Sequence, residues 1–145
     1  MSATAGQAEG MRGLAERLGI QPGMVVMETG YDEDVDQELR DSVAERSGSD
    51  LVGPDSDDVV DVVLLWWRED DGDLVDALVD SKGPLAESGS VWLLTPKVGR
   101  DGHVEPSEIS EAAPTAGLQQ TSTISVARDW AGARLVAPKT GRSRR

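Results

Sequence analysis

Two short clusters in this 145-residue sequence carry side chains capable of chemistry. Glu28-Thr29-Gly30-Tyr31 comes after the apolar run Met24-Val25-Val26-Met27. Thr95-Pro96-Lys97 comes after Val91-Trp92-Leu93-Leu94, with Arg100 and His103 in the loop beyond. A carboxylate and a glycine just past a buried strand suit a ligand that the backbone approaches closely. Lysine and arginine suit an anionic group such as phosphate or carboxylate, and a histidine can also move a proton near neutral pH. Tyr31 is placed either to stack on a ligand or to cap the edge of the core. Other chemistries lack their parts. There is no cysteine, so disulfides and thiolate metal sites are excluded, and one histidine is too few for an all-protein zinc site. No Ser/His/Asp arrangement and no phosphate-cradling glycine loop with lysine occurs, and the many acids show no spacing that singles out a general acid–base pair.

The elements that position these clusters follow from periodicity. Met11, Leu14 and Leu18 recur at helical spacing and Gly19 comes next as a stop. Pro22-Gly23 turns the chain into the first strand, Met24 to Met27. Asp32 to Arg46 predicts a helix with Val35, Leu39 and Val43 on one face and three acids in its first turn, where the helix dipole favours them. Asp50-Leu51-Val52 predicts a short second strand. Val59 to Trp67 is apolar except for Asp61, the pattern of a central strand buried on both faces. Asp73 is placed to cap a helix bearing Leu74, Val75, Leu78 and Val79. Ser90 to Thr95 is the next strand. Ser107 to Ala113 predicts a helix that Pro114 breaks. Thr121 to Ala127 and Ala133 to Val136 predict a hairpin, with Arg128-Asp129-Trp130-Ala131-Gly132 as its turn. Adjacent Trp66 and Trp67 must point to opposite faces of their strand, so both are buried only if helices cover both sides. Trp92 belongs to the same core. Trp130, in the expected turn, either covers the sheet edge or is an exposed anchor for a protein partner.

Strands alternating with helices predict an α/β fold: a three-layer, mainly parallel sheet with an antiparallel C-terminal hairpin strand at its edge. The expected organisation is a disordered N-terminus over 1–8, one domain over 9–137, and a flexible basic tail over 138–145. No stretch approaches the roughly 20 apolar residues of a membrane span, and the N-terminal residues lack the pattern of a secretory signal. The expected location is the cytoplasm, without membrane contact.

The formal charge of -13 is unevenly placed. Residues 28–80 hold 19 acids against the three bases Arg40, Arg46 and Arg68; residues 81–145 carry a net +3. A segment so acidic repels a phosphate backbone, which argues against direct nucleic-acid binding there. It suits solubility, a basic protein partner, or mimicry of nucleic acid.

Pro22-Gly23-Met24-Val25-Val26 leading into Glu28-Thr29-Gly30, then Asp61 to Leu65, Gly89 to Leu93 and the closing hairpin, together resemble a reduced methyltransferase-like Rossmann fold. The stretches Gly19 to Val26, Asp61 to Trp67, Val91 to Lys97 and Asp129-Trp130-Ala131-Gly132 resemble a bacterial, actinobacterial family numbered three thousand and fifty-two in the domain-of-unknown-function series. The resemblance spans roughly residues 11–137 and implies a fold rather than an activity. Methyltransferases of this class place an acid and a Gly-x-Gly-x-Gly turn after the first strand. In this chain Glu28 and Gly30 match, but Tyr31, Asp32, Glu33 and Asp34 come next, with bulk and negative charge where a carboxylate-bearing cofactor would lie. The second acid, which holds the ribose in such enzymes, has only Asp55, Asp57 or Asp58 as loose counterparts.

The resulting expectation is a non-catalytic binding or regulatory protein that engages a protein partner and takes no cofactor. The first alternative is a divergent methyltransferase using S-adenosylmethionine, or another small-ligand enzyme working near Thr29, Gly30 and Lys97. The second is an acidic nucleic-acid mimic. An enzyme requires a pocket at the strand ends open past Tyr31. A binding module requires that pocket filled and an apolar or acidic patch exposed elsewhere.

Overall fold

A computed structural model describes residues 14–138. The expectations for 1–8, for Met11 and for the tail beyond Pro138 lie outside the described residues. After a helical turn at 14–17, the chain builds β1 (Val26–Thr29), α1 (Gln37–Ser47), β2 (Val60–Trp66), α2 (Leu74–Lys82), β3 (Leu85–Pro96), α3 (Pro106–Thr115), β4 (Gln119–Ser125) and β5 (Trp130–Val136). The five strands form one sheet in the order β1-β2-β3-β5-β4. β1, β2 and β3 are mutually parallel, and β5 runs antiparallel to both of its neighbours. As the sequence predicts, the C-terminal hairpin closes the edge of the mainly parallel sheet; within it β5 inserts beside β3 and the polar β4 takes the edge.

Local chemistry sets these elements. The Asp73 carboxylate accepts from the Asp76 N–H at 3.1 Å and starts α2, as the sequence predicts. α1 starts later than predicted, at Gln37, because Asp36 rather than the earlier acids caps it, accepting from the Leu39 N–H at 2.8 Å. Gly48, at φ 88°, closes the same helix in the left-handed conformation that glycine adopts without a Cβ clash. Asp61, the one polar residue of the central strand, accepts from the Val25 N–H at 2.9 Å and so fixes the entry to β1. The expected strand at 50–52 reduces to a single bridge: Val52 exchanges two hydrogen bonds with β1 before Gly53-Pro54 ends the pairing.

β3 begins at Leu85, ahead of the expected Ser90. Pro114 does not end α3, which runs to Thr115. In the last turn that proline removes one ladder bond only. The carbonyls around it are taken by the N–H groups of Ala116, Gly117 and Leu118, and Lys82 Nζ donates to Ala116 O at 2.8 Å.

Two cores flank the sheet. On one face α2 and α3 pack Leu78 and Ile109 over Val63, Leu65, Leu93 and Trp67. On the other, α1 and the residues around Leu18 pack Leu39 and Val43 over Leu64, Trp66, Trp92 and Trp130. Trp66 and Trp67 are thus buried on opposite faces, and the Trp92 indole donates to Leu18 O at 2.8 Å. Among the described residues no helix is long and apolar enough to cross a membrane.

Candidate functional site

In an open α/β sheet, the crevice beyond the carboxyl ends of the parallel strands is where ligands bind. In this fold that crevice is closed by two arginines. Arg68 lies just beyond β2 and is only 8% exposed. Its Nη1 donates to Gly30 O at 2.7 Å and to Trp66 O at 3.3 Å. Its Nε donates to Asp34 Oδ2 at 3.0 Å, Nη2 donates to Asp34 Oδ1, and Asp71 adds a contact at 3.3 Å. The ring of Trp130 lies 5.3 Å from the guanidinium carbon.

The surrounding backbone is shaped to this side chain. A Cβ on Gly30 would lie 2.2 Å from Trp66 O, and one on Gly102 would lie 3.0 Å from Arg68 Cβ. Both glycines have positive φ. They bring two loops onto Arg68 rather than opening space beside a strand.

The second arginine, Arg40 of α1, binds Glu28 in a two-pronged pair, Nε to Oε2 at 2.6 Å and Nη2 to Oε1 at 2.9 Å. Glu28 Oε2 also accepts from the Trp66 indole at 2.9 Å. Arg40 lies 4.7 Å from the centre of the Tyr31 ring. Trp66 meets Trp130 edge to face at 4.8 Å, and the Trp130 indole donates to Asp34 O at 3.2 Å. A continuous chain of ionic, aromatic and hydrogen-bond contacts therefore runs from Tyr31 to Asp71 across the strand ends.

The charges respond accordingly. The hydrogen bond from Arg68 holds the Asp34 carboxyl below its ordinary value, with burial opposing the shift and the guanidinium charge reinforcing it. Burial is the largest influence on Arg68 and works against its charge. The hydrogen bond and charge of Asp34, then of Asp71, more than offset it and raise the Arg68 pKa. Glu28 likewise raises that of Arg40, chiefly by hydrogen bonding.

The side chains singled out in the sequence are dispersed by this arrangement. Glu28 is buried and fully engaged. Thr29 points to the opposite face, where its Oγ1 is buried without a hydrogen-bond partner among the described residues. Gly30 lies under the end of β2. Tyr31 is 58% exposed and stacks on Arg40 rather than capping the core. Lys97 and His103 line one cleft, whereas Arg100 turns to another and pairs with Asp129 at 3.4 Å. These three bases therefore do not converge on one anion, because the turns at 97–103, with Gly99 and Gly102 at positive φ, send Arg100 the other way. Trp130 is the first residue of β5 and 3% exposed. It is a buried aromatic of the core, not an exposed anchor in a turn. Its neighbour Gly132, which suggests a turn, is needed in the strand: a Cβ there would lie 2.7 Å from Val126 and 3.1 Å from Trp92.

Sequence reasoning missed the residues that organise the region, Arg68, Arg40 and Asp34. One signal points to two of them: they are among only three bases in the acidic segment 28–80, and each must find a carboxylate. All three do, Arg46 pairing with Glu16 at 3.6 Å. Beside the arginine network a polar cleft of about 420 Å³ stays open, walled by Asp34, Asp101, Asp129 and Arg100. Among the described residues no group of three or more acids or histidines is placed to hold a metal ion.

Comparison with known proteins agrees with this architecture. A family model described as "Protein of unknown function (DUF3052)" matches residues 15–139. An uncharacterized protein of Mycobacterium bovis and one of Mycobacterium tuberculosis are each 52% identical over 131 residues, covering 90% of this chain and 82% of theirs. Among solved structures, a SAM-dependent methyltransferase from Aquifex aeolicus is similar with a TM-score of 0.55 at 14% identity, over 86% of this chain and 88% of that one. The pyocyanin biosynthetic protein PhzM is similar with a TM-score of 0.64 at 12% identity, over 88% of this chain and 54% of its own. At such identities the likeness is one of fold.

Proposed function

The chain belongs to the DUF3052 family and has a methyltransferase-like fold, and from that premise we propose that it is a non-catalytic binding protein that engages a basic protein partner. The observation that carries this reading is Arg68 lodged in the strand-end crevice. Adenosylmethionine fits the residues present poorly. The acid after the apolar part of β1, Glu28, is committed to Arg40 and Trp66, the glycine is pressed against Trp66 O, and the crevice holds a guanidinium bonded on all sides. A ligand entering there must displace Arg68. Breaking a buried ion pair costs about 3–5 kcal/mol. Because Asp34 is 54% exposed, the lower end applies. A loss of about 3 kcal/mol turns a micromolar site into one of roughly 0.2 mM, which argues against methyl transfer at this crevice.

The partner follows from charge. Asp32, Glu33, Glu38, Asp55, Asp57, Asp58, Glu69 and Asp70 are exposed, and all three bases of the segment are already paired. The uncompensated field favours a basic surface and steers its approach.

Calorimetric titration tests the first half of this reading. Adenosylmethionine and adenosylhomocysteine are expected to give no saturable heat at micromolar concentration, and a micromolar dissociation constant would overturn it. Affinity capture at low salt and at about 0.5 M salt tests the second, because screening beyond a few ångströms should release a partner held by this face. Release of that partner by duplex DNA would favour the acidic mimic.

A further inference from the structure

A second concavity, of about 440 Å³, lies at the carboxyl end of β3 beneath the first turn of α3. Its shape comes from small side chains. In β5, Ala131 and Ala133 pair with Thr95 and Leu93 of β3 and with Ser125 and Thr123 of β4. The two-residue strand period puts both alanines on one face, the face that carries α3. Pro106 and Ile109 of that helix close the cleft from above. The mouth carries Val98, a large apolar side chain left 79% exposed. The volume lies within the roughly 300–1,000 Å³ of small-molecule sites.

Besides the neutral Thr95, Gln120 and Thr123, the cleft is lined by two basic residues and, among the described residues, no acid. Lys97 lines the cleft, and among the described residues no carboxylate lies within ion-pair distance of its Nζ. His103 Nδ1 is 2.9 Å from Pro96 O. A carbonyl only accepts, so Nδ1 carries the hydrogen and the ring is held in place. Its Nε2 is 3.7 Å from the exposed Glu105 carboxylate, beyond hydrogen-bond distance, and in that tautomer it carries the lone pair, so it accepts from a donor rather than holding an anion. The helix above begins with Pro106, and Glu105 makes no side-chain cap bond, so the positive end of α3 adds to the same field.

We propose that this cleft binds a small amphipathic anion: a carboxylate or sulfonate on a short acyl or aryl body. The apolar body lies between α3 and the alanine floor, and the charge meets Lys97 near the positive end of α3. The proposal is independent of the closed crevice, since it uses a different pocket and none of the arginine network.

The test is a fluorescence titration of the full chain with two dyes of the same shape: 8-anilinonaphthalene-1-sulfonate, and its uncharged counterpart N-phenyl-1-naphthylamine. The sulfonate is expected to saturate at one per chain. Lys97→Gln should weaken it by roughly tenfold, the lower end of one charge-assisted contact, and leave the uncharged dye unchanged. Ala131→Leu should block both dyes. Val98→Glu, at the exposed mouth where folding is not at stake, should repel the sulfonate more than the neutral dye even if Ala131→Leu melts early. Absence of saturable binding, or binding that all three variants leave unchanged, would overturn the proposal. So would an equal loss of both dyes in Lys97→Gln.

Discussion

The crevice beyond β1 and β2 and the cleft beyond β3 occupy equivalent places on the sheet, past the carboxyl ends of parallel strands. Their fates differ because of the residues at each strand end. At the ends of β1 and β2 stand Glu28 and Arg68, whose charges recruit Arg40, Asp34 and Asp71 and fill the space from within. At the end of β3 stands Pro96-Lys97, and opposite it β5 supplies two alanines, which leave the space open. Topology sets where a ligand site can form; side-chain volume and charge pairing decide whether one does.

The sharpest way to break this contrast is to force the closed side open. Gly30→Ala places a methyl group against Trp66 O in a left-handed backbone conformation. It should cost more than about 4 kcal/mol, the range reserved for severe steric conflict, read as a collapse of the denaturant midpoint. Trp130→Ala removes a buried ring that touches both Trp66 and Arg68. A loss of about 3–4 kcal/mol in urea unfolding is expected. Near-wild-type stability would return Trp130 to the role of a surface anchor. Arg68→Ala leaves Asp34, Asp71 and Gly30 O without their donor and should cost about 3 kcal/mol. If the variant stays folded, its crevice should admit adenosylhomocysteine better than the wild type does, by calorimetry.

The smallest effect is one of pH. The Asp34 carboxyl is depressed by Arg68, so its contribution to stability is present above the ordinary value of 3.8 and is lost as pH falls through the lower folded value. Asp34→Asn should therefore flatten the acid limb of stability below about pH 4 while lowering stability at neutral pH. An unchanged acid limb would show that the pair does not hold in solution.

Much of the scaffold was legible because it rests on local signals. The apolar run around Asp61 marks the central strand, and Asp73 marks the start of α2. Adjacent Trp66 and Trp67 require two covered faces, and α1 on one side and α2 and α3 on the other supply them. The closed crevice was not legible, because its partners are far apart in sequence: Arg68 lies 34 residues from Asp34 and 38 from Gly30. Locally, Asp34 reads as a first-turn helix acid. Tertiary pairing with Arg68 draws it out of that turn, and the helix starts at the next cap, Asp36. Trp130 and Gly132 misled for the same reason. Their types suggest a turn, while packing against Trp66 and Trp92 puts them in a strand. The open cleft was half legible: Lys97 and His103 stand out by type, but the alanine floor that gives them a pocket does not.

The most direct test of the closed crevice is the arginine side-chain region of a ¹H–¹⁵N spectrum, recorded with and without adenosylhomocysteine. Two Nε–H signals, from Arg68 and Arg40, are expected to exchange slowly with water and to stay in place when the ligand is added, while the exposed Arg100 exchanges fast. An Arg68 Nε–H that exchanges as fast as that of Arg100, or that shifts on addition of micromolar ligand, would contradict the account.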